Sequence, residues 1–210
     1  MSQLKASEIR EILKVTENPQ VISFAGGLPA PELFPVQEIL QVSRQVLQES
    51  GQKALQYTTT EGYAPLRSWI AGRMNQRLGT AFDADNILIT HGSQQALDLT
   101  GKVLLDEGDV VLCESPTYLA AISAFKAYGC RFVEVPTDQD GMIMDELENI
   151  LSATERVKLI YVIPDFQNPT GRTWSMERRQ KLAELAEKFQ VAVLEGNPYG
   201  ELRFAGQSLP

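Results

Sequence analysis

Histidine is nearly missing: the 210 residues contain one, His91. A metal site built on imidazoles, or a Ser–His catalytic pair, therefore has almost nothing to draw on. The two cysteines, Cys113 and Cys130, are too far apart for a metal knuckle, and one disulfide would add little to a core of this size. Basic residues are in deficit, 19 Lys+Arg against 27 Asp+Glu, a formal net charge of -8 with no Lys/Arg run. Binding nucleic acid needs a basic face to neutralise phosphates, so that class is excluded. The apolar runs, such as 110–113 and 159–163, are too short to cross a bilayer. The opening Met1-Ser2-Gln3-Leu4-Lys5 lacks the apolar core of a secretory signal. Neither G-x-G-x-x-G nor a P-loop occurs, which removes the usual dinucleotide and nucleoside triphosphate sites. These absences predict a cytoplasmic, soluble protein that binds neither nucleic acid nor membrane. What is present is 43% hydrophobic residues, enough for a real core.

Those apolar residues alternate between two periods. Short runs rich in Val and Ile at 86–90, 109–113, 131–135, 157–163 and 191–195 read as strands. Between them, 93–105, 117–128, 143–153 and 175–189 read as helices, and such alternation implies a mostly parallel sheet with helices on its faces. Upstream, helices are expected at 2–14, at 36–50 with Gly51 as C-terminal cap, and at 63–78 with Gly79 as the stop. The chain thus divides into an N-terminal arm, residues 1–50, and an α/β domain, residues 51–210.

In sheets of this kind ligands bind in the loops that follow the strands. After 86–90 comes His91-Gly92-Ser93-Gln94, a turn opening a helix whose free N–H groups suit a phosphate or carboxylate. Ser93 serves equally well as a plain N-cap, and His91 alone reads as a turn residue. After 109–113 comes Glu114-Ser115-Pro116-Thr117-Tyr118, where the tyrosine either covers the sheet edge or stacks on a flat ligand. After 157–163 and 191–195 come two Asn-Pro turns, Asn168-Pro169 and Asn197-Pro198, the second followed by Tyr199. Proline keeps each asparagine out of helical geometry and stiffens the turn.

Taken together, residues 24–35 (FAGGLPAPELFP), 54–62 (ALQYTTTEG), 92–97 (GSQQAL), 114–118 (ESPTY), 161–171 (YVIPDFQNPTG) and 197–204 (NPYGELRF) resemble a fold-type-I pyridoxal-phosphate aminotransferase. The nearest branch holds the α-aminoadipate, kynurenine and multi-substrate enzymes. The resemblance implies an incomplete large domain of that fold, pyridoxal 5'-phosphate as cofactor, an α-amino acid and a 2-oxo acid as substrates, and a homodimer. It implies that Ser93 and Gln94 hold the cofactor phosphate and that Tyr118 stacks on the pyridine ring. Asn168 and Tyr199 would hydrogen-bond the phenolate oxygen, Gly27 would lie against substrate, and Tyr57 would reach the partner's phosphate site.

The resemblance also implies groups that these residues do not supply. The family's Schiff-base lysine and its carboxylate-binding arginine lie beyond the Asn-Pro-Tyr turn, and no lysine here has the lysine's context. Three residues before the turn's tyrosine the family carries an aspartate that pairs with the pyridinium nitrogen, and here that position is Gly196. The flanking Glu195 and Asn197 would point to the other face of an extended strand. The expectation is that these 210 residues alone have no transaminase activity. The family's remaining strands lie between 86–90 and 191–195, so the isolated chain is expected to be unstable, rearranged or aggregation-prone. The alternative is a non-catalytic cofactor-binding or dimerising relic.

Overall fold

The computed structural model describes residues 20–22 and 27–209. The helix expected at 2–14 lies outside them, as do residues 24–26 of the Gly/Pro segment. The chain forms two compact units that divide between Ala64 and Pro65.

The first unit holds a 3-10 turn, Pro31–Leu33, and the helix α1, Val36–Ala54. Gly51 is not its cap. Ser50 leaves helical geometry (φ -144°) and the helix resumes to Ala54. No residue of α1 is buried, and Val36, Ile39, Leu40, Val42, Val46 and Leu47 are all exposed.

The helix α2, Ala64–Leu78, leads into the second unit, which takes it from Pro65 onward. Gly79, at φ +69°, ends it as the sequence implies, because a left-handed residue after the last turn closes a helix most easily as glycine. Four parallel strands follow, β1 Val110–Glu114, β2 Arg131–Val135, β5 Val157–Val162 and β6 Ala192–Glu195, in spatial order β2-β1-β5-β6. The connecting helices are α3 Ser93–Leu104, α4 Leu119–Lys126, α5 Met144–Ala153 and α6 Met176–Phe189.

The alternation of strand side chains feeds two cores. On one face Val110, Leu112, Ile160 and Val162 pack with Leu147 and Leu151 of α5 and Leu182 and Leu185 of α6. On the other, Val111, Leu159, Tyr161 and Ile163 pack with Leu97 of α3 and Ala121, Ala124 and Phe125 of α4. Every residue of β1 is buried, which is why its sequence is a continuous apolar run ending in one carboxylate.

One expected strand is absent, and one hairpin is present that the sequence did not announce. Residues 86–90 do not form a strand: Ala84–Asn86 is a 3-10 turn closed by an Asp83/Asn86 capping box, and 87–90 pair with no strand among the described residues. A strand exists only against a partner, so its apolar pattern alone cannot make one. A small antiparallel hairpin, β3 Thr137–Asp138 with β4 Gly141–Met142, was not anticipated. Two-residue strands are shorter than any periodicity signal. The hairpin is set by Asp138 Oδ1, which accepts from Asp140 N (2.9 Å), and by Gly141 at φ +106°.

Candidate functional site

The carboxyl ends of β1, β5 and β6 and the start of α3 converge on one cleft of about 320 Å³, large enough for a small cofactor. Five residues singled out in the sequence line it: Ser93, Tyr118, Asn168, Gly196 and Tyr199. Its apolar walls come from Ala96, Leu97, Ile163 and Leu194, and Tyr161 reaches it from β5. Gln94 is exposed and does not line it. Gly27 and Tyr57 belong to the first unit, where Gly27 has open space around it and Tyr57 is 99% exposed.

Local geometry settles one alternative. The cap position of α3 is Gly92, in a backbone conformation (φ +77°) that only glycine adopts without strain, and no side chain caps the helix. Ser93 is the first helical residue, so it is not the N-cap. The leading N–H groups of α3 are left to face whatever enters the cleft. His91 is tied locally, its amide donating to Gln95 Oε1 (2.6 Å), as a turn residue would be.

Tyr118 is the extended residue (φ -67°, ψ 115°) just before α4, which starts two residues later than the sequence reading placed it. It is held opposite Asn168 by buried polar cross-links. Gln167, 2% exposed, donates Nε2–H to Pro116 O (2.8 Å), while its Oε1 accepts from Thr170 N and Oγ1 (2.8 and 2.7 Å). Glu114, also 2% exposed, accepts from Ile163 N and from Trp174 Nε1, both at 2.9 Å. Burial pushes its carboxyl above the usual carboxylate range, and those two donors pull against that rise.

Deeper along the same turn, Asp165 is 1% exposed and accepts from Arg179 (3.0 Å) and Arg203 (2.8 Å), whose guanidinium stacks on Phe166 at 4.7 Å. This ties the turn carrying Asn168 to the segment that follows Tyr199. In the second Asn-Pro turn Asn197 Oδ1 accepts from Gly200 N (2.9 Å), which folds that side chain back onto the turn.

Other polar groups of the cleft are not spent. The Asn168 amide and the hydroxyls of Tyr118, Tyr161 and Tyr199 hydrogen-bond no described residue. Tyr161 is buried, Tyr118 and Asn168 are half-buried and Tyr199 is exposed, so the apolar-walled cleft offers four unpartnered polar groups to a flat ligand rich in polar substituents. No lysine lines it, and among the described residues no cluster of His, Cys, Asp and Glu is placed to hold a metal. No helix among the described residues is long and apolar enough to cross a membrane. The sequence reading missed Tyr161, Ile163, Leu97 and Leu194. Their place at strand ends and in the first turns of α3 is the signal that could have found them.

The protein is 49% identical over 208 residues to the aromatic-amino-acid aminotransferase 1 of Thermococcus litoralis, covering 97% of this chain and 50% of that one. The kynurenine aminotransferase of Pyrococcus horikoshii, solved in complex with PMP, superposes with a TM-score of 0.91 at 44% identity, over 99% of this chain and 52% of that one. The α-aminoadipate aminotransferase of Thermus thermophilus, solved with N-(5'-phosphopyridoxyl)-L-leucine, superposes at 0.86 and 44% identity, over 100% and 51%. The chain spans about half the length of these relatives. The sequence profile described as aminotransferase class I and II matches residues 19–207, and the chain belongs to that family.

Proposed function

We propose that this chain is the cofactor-binding half of a pyridoxal-phosphate aminotransferase, which moves an amino group between an α-amino acid and a 2-oxo acid in the cytoplasm. The observation that carries the proposal is the cleft: five residues chosen from sequence line it, with four unpartnered polar side chains around apolar walls. When bound, the cofactor supplies an electrophilic carbon and an electron sink for cleavage at the amino-acid α-carbon.

The chain's own residues bind and orient it. The uncapped N–H groups of α3, from Ser93 and Gln94, hold the phosphate, where the helix dipole favours an anion. Tyr118 lies against the ring face. Asn168 and Tyr199 donate to the phenolate oxygen, and a donor to the charged form of an oxygen keeps it ionised. Leu97, Ile163 and Leu194 exclude water from the edges. Gly27, with no side chain, leaves room for substrate, and Tyr57 reaches the phosphate site of the other subunit in a homodimer.

One part of the cofactor is poorly matched. Gly196 offers no carboxylate for the ring nitrogen, and no lysine of the cleft can form a covalent link. These 210 residues alone therefore bind the cofactor non-covalently and do not transaminate. Gly196 also favours a second reading, a family member that binds the cofactor without turning over. In the protein at its natural length, borohydride-reducible cofactor supports the enzyme, and cofactor that stays non-covalent supports the second reading.

Cofactor binding itself is tested by titrating pyridoxal phosphate into the protein and its Asn168→Ala variant. Removing a hydrogen bond to a charged oxygen should weaken binding by about tenfold to a hundredfold. Unchanged affinity would remove Asn168 from the site.

A further inference from the structure

If the phosphate sits at α3 and the phenolate oxygen at Asn168 and Tyr199, the geometry of a pyridine ring fixes the rest. Those two substituents flank the carbon that reacts, which must face the mouth of the cleft. The ring nitrogen is opposite that carbon and faces the floor, where Tyr161 is the last residue but one of β5 and Gly196 directly follows β6. Gly196 N donates to Val162 O (2.9 Å), which holds the two strand ends together there.

Apart from Ser93 at the phosphate end, Asn168 and the two outer tyrosines, three polar side chains line the cleft: Tyr161, Glu195 and Asn197. Asn197 is exposed, and the bond from Gly200 N to its Oδ1 folds its side chain onto the following turn. Glu195 precedes Gly196 on an extended strand, and its carboxyl feels Arg179 and Asp165, the charges of the other network. Tyr161 remains. It is 3% exposed, its hydroxyl hydrogen-bonds no described residue, and it opens on the cleft. A Cβ built on Gly196 would stand 3.2 Å from that hydroxyl oxygen and 3.5 Å from Ile163 Cγ1. The hydroxyl thus occupies the space directly before residue 196.

We infer that Tyr161 is a cofactor-binding residue, its hydroxyl donating a hydrogen bond to the ring nitrogen and holding it unprotonated. This rests on the pyridoxal-phosphate assignment above. A phenol so deeply buried stays protonated, because burial pushes its titration well above the ordinary tyrosine value, so it has a proton to donate. A nitrogen held in this way draws less charge from the ring than a pyridinium paired with a carboxylate.

The experiment uses the protein at its natural length, its Tyr161→Phe variant, and two probes: pyridoxal phosphate and its 1-deaza analogue, which has a carbon in place of the ring nitrogen. The unaltered protein should prefer pyridoxal phosphate by about fivefold, the ratio one hydrogen bond supplies, and Tyr161→Phe should abolish that preference. Equal weakening of both ligands by the substitution, or no weakening of either, would overturn the role of Tyr161 while leaving the cofactor assignment standing. Failure of the unaltered protein to bind pyridoxal phosphate at all would instead overturn the cofactor assignment, and this inference with it.

Discussion

Glu114 is the hinge pin of the cleft, and Glu114→Gln is the perturbation that exposes it. Its two oxygens accept from different donors on different segments, Ile163 N at the end of β5 and Trp174 Nε1 before α6. A glutamine of the same shape has one oxygen, so its amide nitrogen must face one of those N–H groups. A buried donor left unsatisfied costs about 1–3 kcal/mol. At the middle of that range, about 2 kcal/mol, a chain of this size should lose about 4–8 °C in Tm. The pH dependence should change as well. Burial raises the carboxyl of Glu114, so between the ordinary value and the raised one the folded chain holds a proton that the unfolded chain has released. Its contribution to stability therefore declines as pH rises through that interval and is level above it, at a slope of at most about 1.4 kcal/mol per pH unit. Subtracting the Gln variant's curve from the parent's, by urea denaturation between pH 4 and pH 8, should reveal that decline. A variant with the parent's Tm and a flat difference curve would refute the role given to this carboxyl.

Three further outcomes follow from the same contacts. Asp165→Asn leaves Arg179 and Arg203 without their shared buried carboxylate and should cost about 3–5 kcal/mol by urea denaturation, with faster amide exchange in residues 199–203. Gly141→Ala demands a Cβ 2.4 Å from the Trp174 ring at a φ of +106°, and should cost about 3 kcal/mol in the same assay. Asp109 is held below the usual carboxylate range, first by the Asp106 amide and then by Arg156, so stability it supplies above that range is lost as pH falls toward its native value. Asp109→Asn should flatten the acid limb of the stability curve, measured as Tm between pH 5 and pH 2.

The sheet was legible because a parallel strand buried on both faces announces itself as an apolar run, as 110–113 and 157–163 do. Residues 87–90 carry a similar pattern and form no strand, since pairing depends on a neighbour that composition cannot supply. The helix ends slipped where backbone geometry, not periodicity, decides: Ser50 interrupts α1 short of Gly51, and Tyr118 stays extended ahead of α4. At the site, five residues that line the cleft were singled out in the sequence from their types and spacing. Tyr161 was not, because an aromatic inside a strand reads as core. Only the structure shows that its ring packs among Phe125 and Ile163 while its hydroxyl opens on the cleft. The convergence of Gln167 and Glu114 on two separate loops was equally invisible, since both contacts span about fifty residues of sequence.

The central claim is that this cleft receives pyridoxal phosphate in one orientation. Crystals of the protein soaked with the cofactor test it directly. The account predicts density with the phosphate on the N–H groups at Ser93, the ring against Tyr118, the phenolate oxygen between Asn168 and Tyr199, and the nitrogen toward Tyr161. Cofactor density elsewhere, or an empty cleft at saturating concentration, would contradict it.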